Sequence, residues 1–407
     1  MSVAQEIQRI AQAKADIRNA ILSKGVDVAD TDRIDTFAQK IATIEGGSGE
    51  GFGKYRVRFF DYDGTILKTV YTDGGAVEAP AVPDHERLLF QEWNNDFDNI
   101  TDDLDVGAIY TTKSGKCEFV IDINSLTGLT QYVGVGIKSG TVTVDWGDGA
   151  VETLSTVGDA RIAHTYSVGG KYTIMVSGTL DWTFADHALT KNSSGTAFDN
   201  TSVVAVRIVN LKSSPGQSFN RLVTCRTLSC DKASTANTQR MYAGMPDLRH
   251  FNIPRKVNAQ MWMFANCYRL NRVVFPDSFT GIPPNFCENS SLRCDFVLPP
   301  NLTEISWGAF PANGNYDGFS EITIPSKVSS IGRYAFNAVN GCSCLRKVVM
   351  KPTTPPSIQV VSGDEVQSSF PVRGQLKEII VPAGCAEAYK NATNWSYYAD
   401  IIKEEDI

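Results

Sequence analysis

Long apolar runs are missing: nowhere in the 407 residues does a stretch approach the roughly 18 that a membrane-spanning helix needs. No basic stretch stands out either. The 38 Lys+Arg are spread among 45 Asp+Glu, a net charge of −7, which argues against a nucleic-acid footprint. Histidine is scarce, with four residues (His85, His164, His187 and His250) scattered along the chain, and the nine cysteines contain no C-x-x-C pair. That odd count fits neither a disulfide framework nor a zinc ribbon, so no metal site and no cofactor is expected. The thiols read as small buried side chains of a reducing compartment. The N-terminus, MSVAQEIQRIAQAKADIRNA, has no apolar core of the signal-peptide kind. The expectation is a chain that stays where it is made unless it leaves within something larger. With 42% hydrophobic residues the chain is not generally disordered, and its length suggests two to four domains.

What is present falls into differently patterned stretches. Residues 1–45 read as an α-helical hairpin. Ile7, Ile10, Ile17 and Ile21 keep heptad seam spacing, Gly25 stops the first helix, and Ile34, Phe37, Ile41 and Ile44 repeat the pattern in a second. Isoleucine at both seam positions leans toward trimers or tetramers, the trimer being favoured. Two readings stay open, a homo-oligomeric (trimeric) head or a hairpin packed on a neighbour, and in both the apolar stripe needs a partner. GGSGEGFG, 46–53, is a flexible linker.

Residues 54–112 alternate like strands, with Tyr55, Val57 and Phe59 on one face and DYDGT (61–65) as a turn. FFDYDGTIL resembles the first motif of haloacid-dehalogenase-like phosphotransferases, which would make Asp61 a nucleophile and Asp63 an acid/base. That fold requires a helix next and βαβ alternation after it, and neither pattern follows. YRVRFFDYDGTILKTV, the Pro80 and Pro83 pair and FQEWNNDFDNITDDLDVGAIY resemble instead the InlB B-repeat, a small β-grasp-like module of bacterial surface proteins. Asp61 and Asp63 are then turn residues. In 115–185, Val142 and Val144 alternate toward a core, Trp146 is an anchor, and Asp148–Gly149 offers a hairpin turn. GTVTVDWGDGAVETL and ARIAHTYSVGGKYTIMVSG resemble a PKD domain, implying an Ig-like β-sandwich. Asp145 and Asp148 read as turn chemistry before calcium ligands.

From about 200 to 407 the chain repeats itself. The unit, an apolar residue, two variable ones, then apolar–x–apolar–Pro, occurs as LRHFNIP, LNRVVFP, FSEITIP and LKEIIVP, one residue longer in LRCDFVLP and with the proline one place late in LRKVVMKP. Prolines 254, 276, 299, 325, 352 and 382 are 22, 23, 26, 27 and 30 apart. An aromatic recurs between units: Tyr242, Phe264, Phe286, Phe310, Phe336 and Phe370. Such a unit cannot bury its apolar side alone, so copies must stack into a solenoid. Both apolar strand positions, such as Val273 and Phe275, point inward by the two-residue period. Outward lie His250 and Asn252, Arg272 and Val274, Glu321 and Thr323, Lys347 and Val349, an expected ligand-binding face. The pattern resembles BspA-type leucine-rich repeats, with a C-terminal cap built on Trp395, Tyr397 and Tyr398.

The expected architecture is therefore a mainly β multidomain chain without enzymatic activity. Surface-recognition modules combined with an assembly head suggest a bacteriophage virion protein. Residues 1–45 also resemble the N-terminal segment of phage tail-associated proteins. On this reading the chain is a tail fibre or receptor-binding protein, made in the host cytoplasm and released by lysis. Its helices contact other virion proteins and its repeats contact a host surface glycan or protein. Alternatives are a capsid decoration or head-fibre protein, a bacterial surface adhesin, and the dehalogenase-like phosphatase. Neither nucleic acid nor membrane insertion is expected.

Overall fold

A computed structural model describes residues 14, 17, 18, 53–124, 128–211, 216–235, 239–290, 292, 296–310, 319–337, 344–360, 368–372 and 374–405. The chain is mainly β with few helices, and its C-terminal half is a β-solenoid. Most of the head, with Ile7, Ile10, Ile21, Ile34, Phe37, Ile41 and Ile44, lies outside the described residues, as does the linker up to residue 52. Lys14, Ile17 and Arg18 are helical, and Ile17 is exposed.

Strands β1 (Tyr55–Phe60), β2 (Ile66–Thr72), β3 (Leu88–Trp93) and β4 (Leu104–Thr112) form one sheet in the order β2-β1-β4-β3. The central pair β1–β4 is parallel and the outer pairs are antiparallel. Alternation in YRVRFF turns Val57 and Phe59 to one side, onto Ile100, Leu104 and Val106. It turns Arg58 and Phe60 to the other. A strand, not a helix, follows DYDGT. Within that turn the Asp61 amide donates to the Thr65 carbonyl (2.8 Å) and Asp63 accepts from the Thr65 amide (3.0 Å).

Strands β5 (Cys117–Ile123), β6 (Thr130–Ile137), β7 (Val142–Asp145), β8 (Val151–Leu154), β9 (Gly158–Thr165), β10 (Gly170–Gly178) and β11 (Trp182–Phe184) lie in two sheets. Trp146 is fully buried between them, stacked on His164 (centroids 5.1 Å), and the Tyr166 hydroxyl donates to its carbonyl (2.7 Å). Asp145 and Asp148 accept the amides of Gly147 (2.9 Å) and Ala150 (3.1 Å), the turn chemistry that short acidic side chains favour. β5 then pairs with β12 (Val203–Ile208), which pairs with β13 (Thr227–Cys230). A six-stranded sheet, β13-β12-β5-β10-β7-β8, thus runs from this layer into the repeats, and a continuous apolar core extends from Cys117 to Ile402.

The repeats add β14 (His250–Asn252), β15 (Arg272–Val274), β16 (Gly281–Ile282), β17 (Glu304–Ile305), β18 (Glu321–Ile324), β19 (Ser330–Ile331), β20 (Lys347–Met350), β21 (Glu378–Pro382) and β22 (Ile402–Glu405). Among the described residues all their pairings are parallel, as a stack of equivalent turns requires. Inward positions such as Phe251, Val273, Ile322, Val348 and Ile379 are buried. The repeat prolines start a turn: the carbonyls of Pro254, Pro276, Pro299 and Pro325 each accept the amide three residues on, at 3.1–3.2 Å. That turn swings Val257, Phe279, Leu302 and Val328 into the core.

A third ladder lies on the turn side. Its rungs bond through the backbone, as in Arg240 N–H to Met261, Trp262 N–H to Pro284 and Asn285 N–H to Trp307. Inside it runs an aromatic spine with centroid spacings of 5.4–6.4 Å: Phe219, Tyr242, Phe264, Phe286, Phe310, Phe336 and Phe370. Each buried ring contributes on the order of 1.5–3 kcal/mol. A short helix, Ala386–Asn391, and a 3-10 turn, Trp395–Ile401, close the stack. There Trp395 and Tyr398 are fully buried and Tyr397 half-buried, and the Trp395 indole donates to the Pro356 carbonyl (2.7 Å).

Candidate functional site

The outward face of the strands divides in two. In the later repeats Glu321, Thr323, Lys347 and Val349 are half-exposed, and Lys347 pairs with Glu321 (3.1 Å). In the first two repeats the expected exposure is corrected: His250, Asn252 and Val274 are buried and Arg272 is 9% exposed. Residues 53–112 cover them.

The cover is specific. Asn252 Nδ2 donates to the carbonyls of Asp61 and Ala108, both at 3.1 Å. Asn94 reaches the other way, donating to the carbonyls of Ile253 (3.0 Å) and Val274 (3.1 Å), and Asn95 donates to Phe275 (2.7 Å). At the centre Asp105 receives Arg58 through two bonds (2.8 and 2.9 Å) and Arg272 at 2.9 Å. Burial raises the Asp105 carboxyl above its ordinary range, and the two guanidiniums oppose that rise. Nearby, Glu118 on β5, itself buried, joins Arg87 and Arg207, both at 3.0 Å. Gly107 allows the close approach, since a Cβ there would stand 2.5 Å from Asn252 Cγ.

His250 sits beneath this contact. Its Nε2 is 2.6 Å from Asn252 Oδ1, and because Asn252 Nδ2 already donates to carbonyls, the histidine must be the donor. Burial, reinforced by the Arg272 charge, pushes its pKa down to about 4; the Asn252 bond and Asp63 oppose it. It is a neutral packing residue. Where the cover ends, a cavity of about 240 Å³ opens among Arg56, Asp102, Phe296, Thr323 and Lys351, and Lys351 pairs with Asp102 across it.

The turn side carries a second surface, one that the strand periodicity did not point to. A shallow groove of about 660 Å³ crosses successive rungs, lined from Gln217 to Tyr334 with no residue from 53–112. One wall is the row Gln217, Arg240, Trp262, Asn285, Gly308 and Tyr334, all at left-handed backbone angles (φ 51–69°). Ala243, Gly244 and Ala265, with Arg221, Asn266 and Glu288, complete the lining. Trp262 donates its indole N–H to Glu288 (2.9 Å) and lies under the Arg240 guanidinium (4.4 Å). Trp307 is 47% exposed. A signal for this row was present: Arg240, Trp262 and Tyr334 stand two residues, and Trp307 three, ahead of a buried spine aromatic.

The catalytic constellation suggested by FFDYDGTIL is not assembled among the described residues. Asp61 is buried beside His85 (2.9 Å), Asp63 faces its own turn, and no group of three metal-ligating side chains forms among the described residues.

Stacked parallel rungs, inward apolar–x–apolar pairs, a recurring proline turn and an aromatic spine together define the repeat. Residues 189–268, 257–345 and 315–359 match the BspA type leucine rich repeat region, in six copies. The chain carries a BspA-type leucine-rich repeat region. The match spans under half of the chain and leaves 1–188 outside it. Among curated proteins no sequence is significantly similar. Among solved structures, a leucine rich cell surface protein from Faecalibacterium prausnitzii A2-165 is similar at 15% identity, over 48% of this chain and 83% of that one, with a TM-score of 0.22.

Proposed function

We propose that this chain is a non-enzymatic adhesion protein whose BspA-type repeats present a recognition surface at a bacterial cell surface. The observation that carries the reading is the division of labour within each rung. Strand residues, turn residues and spine aromatics are spent on the core, while Trp307 stays exposed in a groove that several repeats build jointly. A large exposed aromatic in a rigid concave surface marks a contact site. The remaining half-exposed strand row around Thr323 and Val349 is a second contact area in this reading.

The finer assignment is a virion tail fibre or receptor-binding protein. It rests on the N-terminal segment, whose seam residue Ile17 presents an apolar side chain to solvent. On that reading residues 1–45 trimerise or dock to other virion proteins. Residues 54–112 and 115–185, InlB B-repeat-like and PKD-like by their motifs, then serve as supports for the repeats. Strand order β2-β1-β4-β3 and the Trp146–Tyr166 bond support those two likenesses. The test is adhesion of the purified full chain to bacterial cells, with gold-labelled antibody placing the native protein on cell envelopes or on particles. Absence of adhesion to any cell type tested, together with a measured hydrolytic turnover, would overturn the proposal.

A further inference from the structure

We propose that the turn-side groove binds a neutral oligosaccharide laid across the rungs, its sugar faces on Trp307 and Tyr334 and its hydroxyls on Asn266, Glu288 and Arg240. The inference rests on the adhesion reading and assigns it a ligand class and a place.

Four features of the groove select that class. Its aromatics are set for stacking. Trp307 is 47% exposed, and Trp262 is fixed by its bond to Glu288 and by Arg240 above it, so little side-chain freedom is lost on binding. Its polar groups are carboxamide, carboxylate and guanidinium, which meet hydroxyls as acceptors and donors together. Its charge is nearly balanced: Arg221 is paired with Asp199 (2.7 Å), and Arg240 and Glu288, of opposite sign, both contact Trp262. An anionic polymer or a phosphate would find no concentrated positive field. Finally, the row from Gln217 to Tyr334 crosses six rungs, at about 4.8 Å per rung roughly 24 Å, a length suited to a chain of sugars and not to one.

An extended peptide is disfavoured by the same geometry. Peptides that add to a sheet use free backbone donors and acceptors. Here the rung amides of Trp262, Asn285 and Gly308 are already bonded to Pro284, Trp307 and Arg333. A ligand must therefore be held by side chains.

The experiment uses the full chain on an array of neutral glycans, with chitohexaose, cellohexaose and maltohexaose titrated in solution by tryptophan fluorescence, and cell adhesion measured in parallel. The expected result is binding of at least one neutral glycan, weakened about tenfold or more by Trp307→Ala and by Asn266→Ala. Leu180→Ala, 83% exposed and away from the groove, should leave it unchanged. Circular dichroism checks that each variant is folded. Cell adhesion that survives Trp307→Ala, with no neutral glycan bound, overturns the groove assignment and leaves the adhesion reading standing. Loss of both cell and glycan binding in the unmodified chain overturns both, and capture of only sialylated or phosphorylated glycans overturns the neutral class.

Discussion

Asp105 holds two guanidiniums from different parts of the chain, Arg58 beside it in the sheet and Arg272 in the second repeat strand. Removing the carboxylate leaves two positive charges buried, the arrangement in which an ion pair matters most. Asp105→Asn is expected to destabilise the protein by about 3–5 kcal/mol in chemical denaturation. Asp84→Asn, which removes an exposed partner of Lys113, should change stability by less than about 1 kcal/mol. His250 predicts a pH dependence. Above pH 6.5 the imidazole is neutral folded or unfolded and its contribution is full. As pH falls from 6.5 toward about 4, the unfolded chain takes up a proton that the folded one refuses, and stability is lost. The loss reaches about 3 kcal/mol, and His250→Gln should flatten that segment of the stability-against-pH curve. A steeper curve in the variant would sink this account. Of these residues His250 and Arg272 were legible as outward-facing, because the two-residue period says which side a residue takes. It does not say what comes to cover that side. Arg58, Asp105 and Arg272 each look like solvated strand charges in their own segment.

At the scale of the element, the repeat strand was the most legible feature, since apolar–x–apolar–Pro states inward pair and stop together. The spine was read as well, apart from Phe219, whose repeat lacks the motif. The turn ladder between them was not. Its left-handed positions are held in one row by Gln217, Arg240, Trp262, Asn285, Gly308 and Tyr334, and in a second by Arg221, Gly244, Asn266 and Asn289. A side chain in that region costs roughly 1–2 kcal/mol, so sequence usually marks it with glycine or asparagine. Half of these positions follow that rule; at Gln217, Arg221, Arg240, Trp262 and Tyr334 the stacked rungs and the spine impose the conformation instead, and the residue's identity is left free for the surface. The spine should therefore dominate stability. Phe264→Ala removes a fully buried ring touching Tyr242, Phe251 and Phe286, and is expected to destabilise by about 3–5 kcal/mol. Val349→Thr on the half-exposed strand row should stay within about 1 kcal/mol, measured by the same urea titration.

Over the whole molecule, the patterned stretches of the sequence do not behave as beads. β5 and β12 share a sheet, residues 53–112 close over β14 and β15, and buried Glu118 ties Arg87 to Arg207. Local periodicity reports each stretch by itself, and the contacts between stretches depend on backbone carbonyls and asparagines that carry no pattern. The arrangement leaves two surfaces for recognition, and docking distinguishes them. The strand-side cavity takes Arg56, Asp102 and Asp103 from the covering module, whereas the groove takes nothing from it. Gly107→Leu in the full chain places a side chain where Asn252 stands and should wedge the module off the repeats. Val274 and Phe60 then become solvent-exposed, so binding of an apolar dye should rise while far-ultraviolet circular dichroism stays near that of the parent. Adhesion retained in this variant assigns recognition to the groove. Adhesion lost, with the repeats still folded, moves it to the strand side, where the module would be part of the binding surface and not merely its cover.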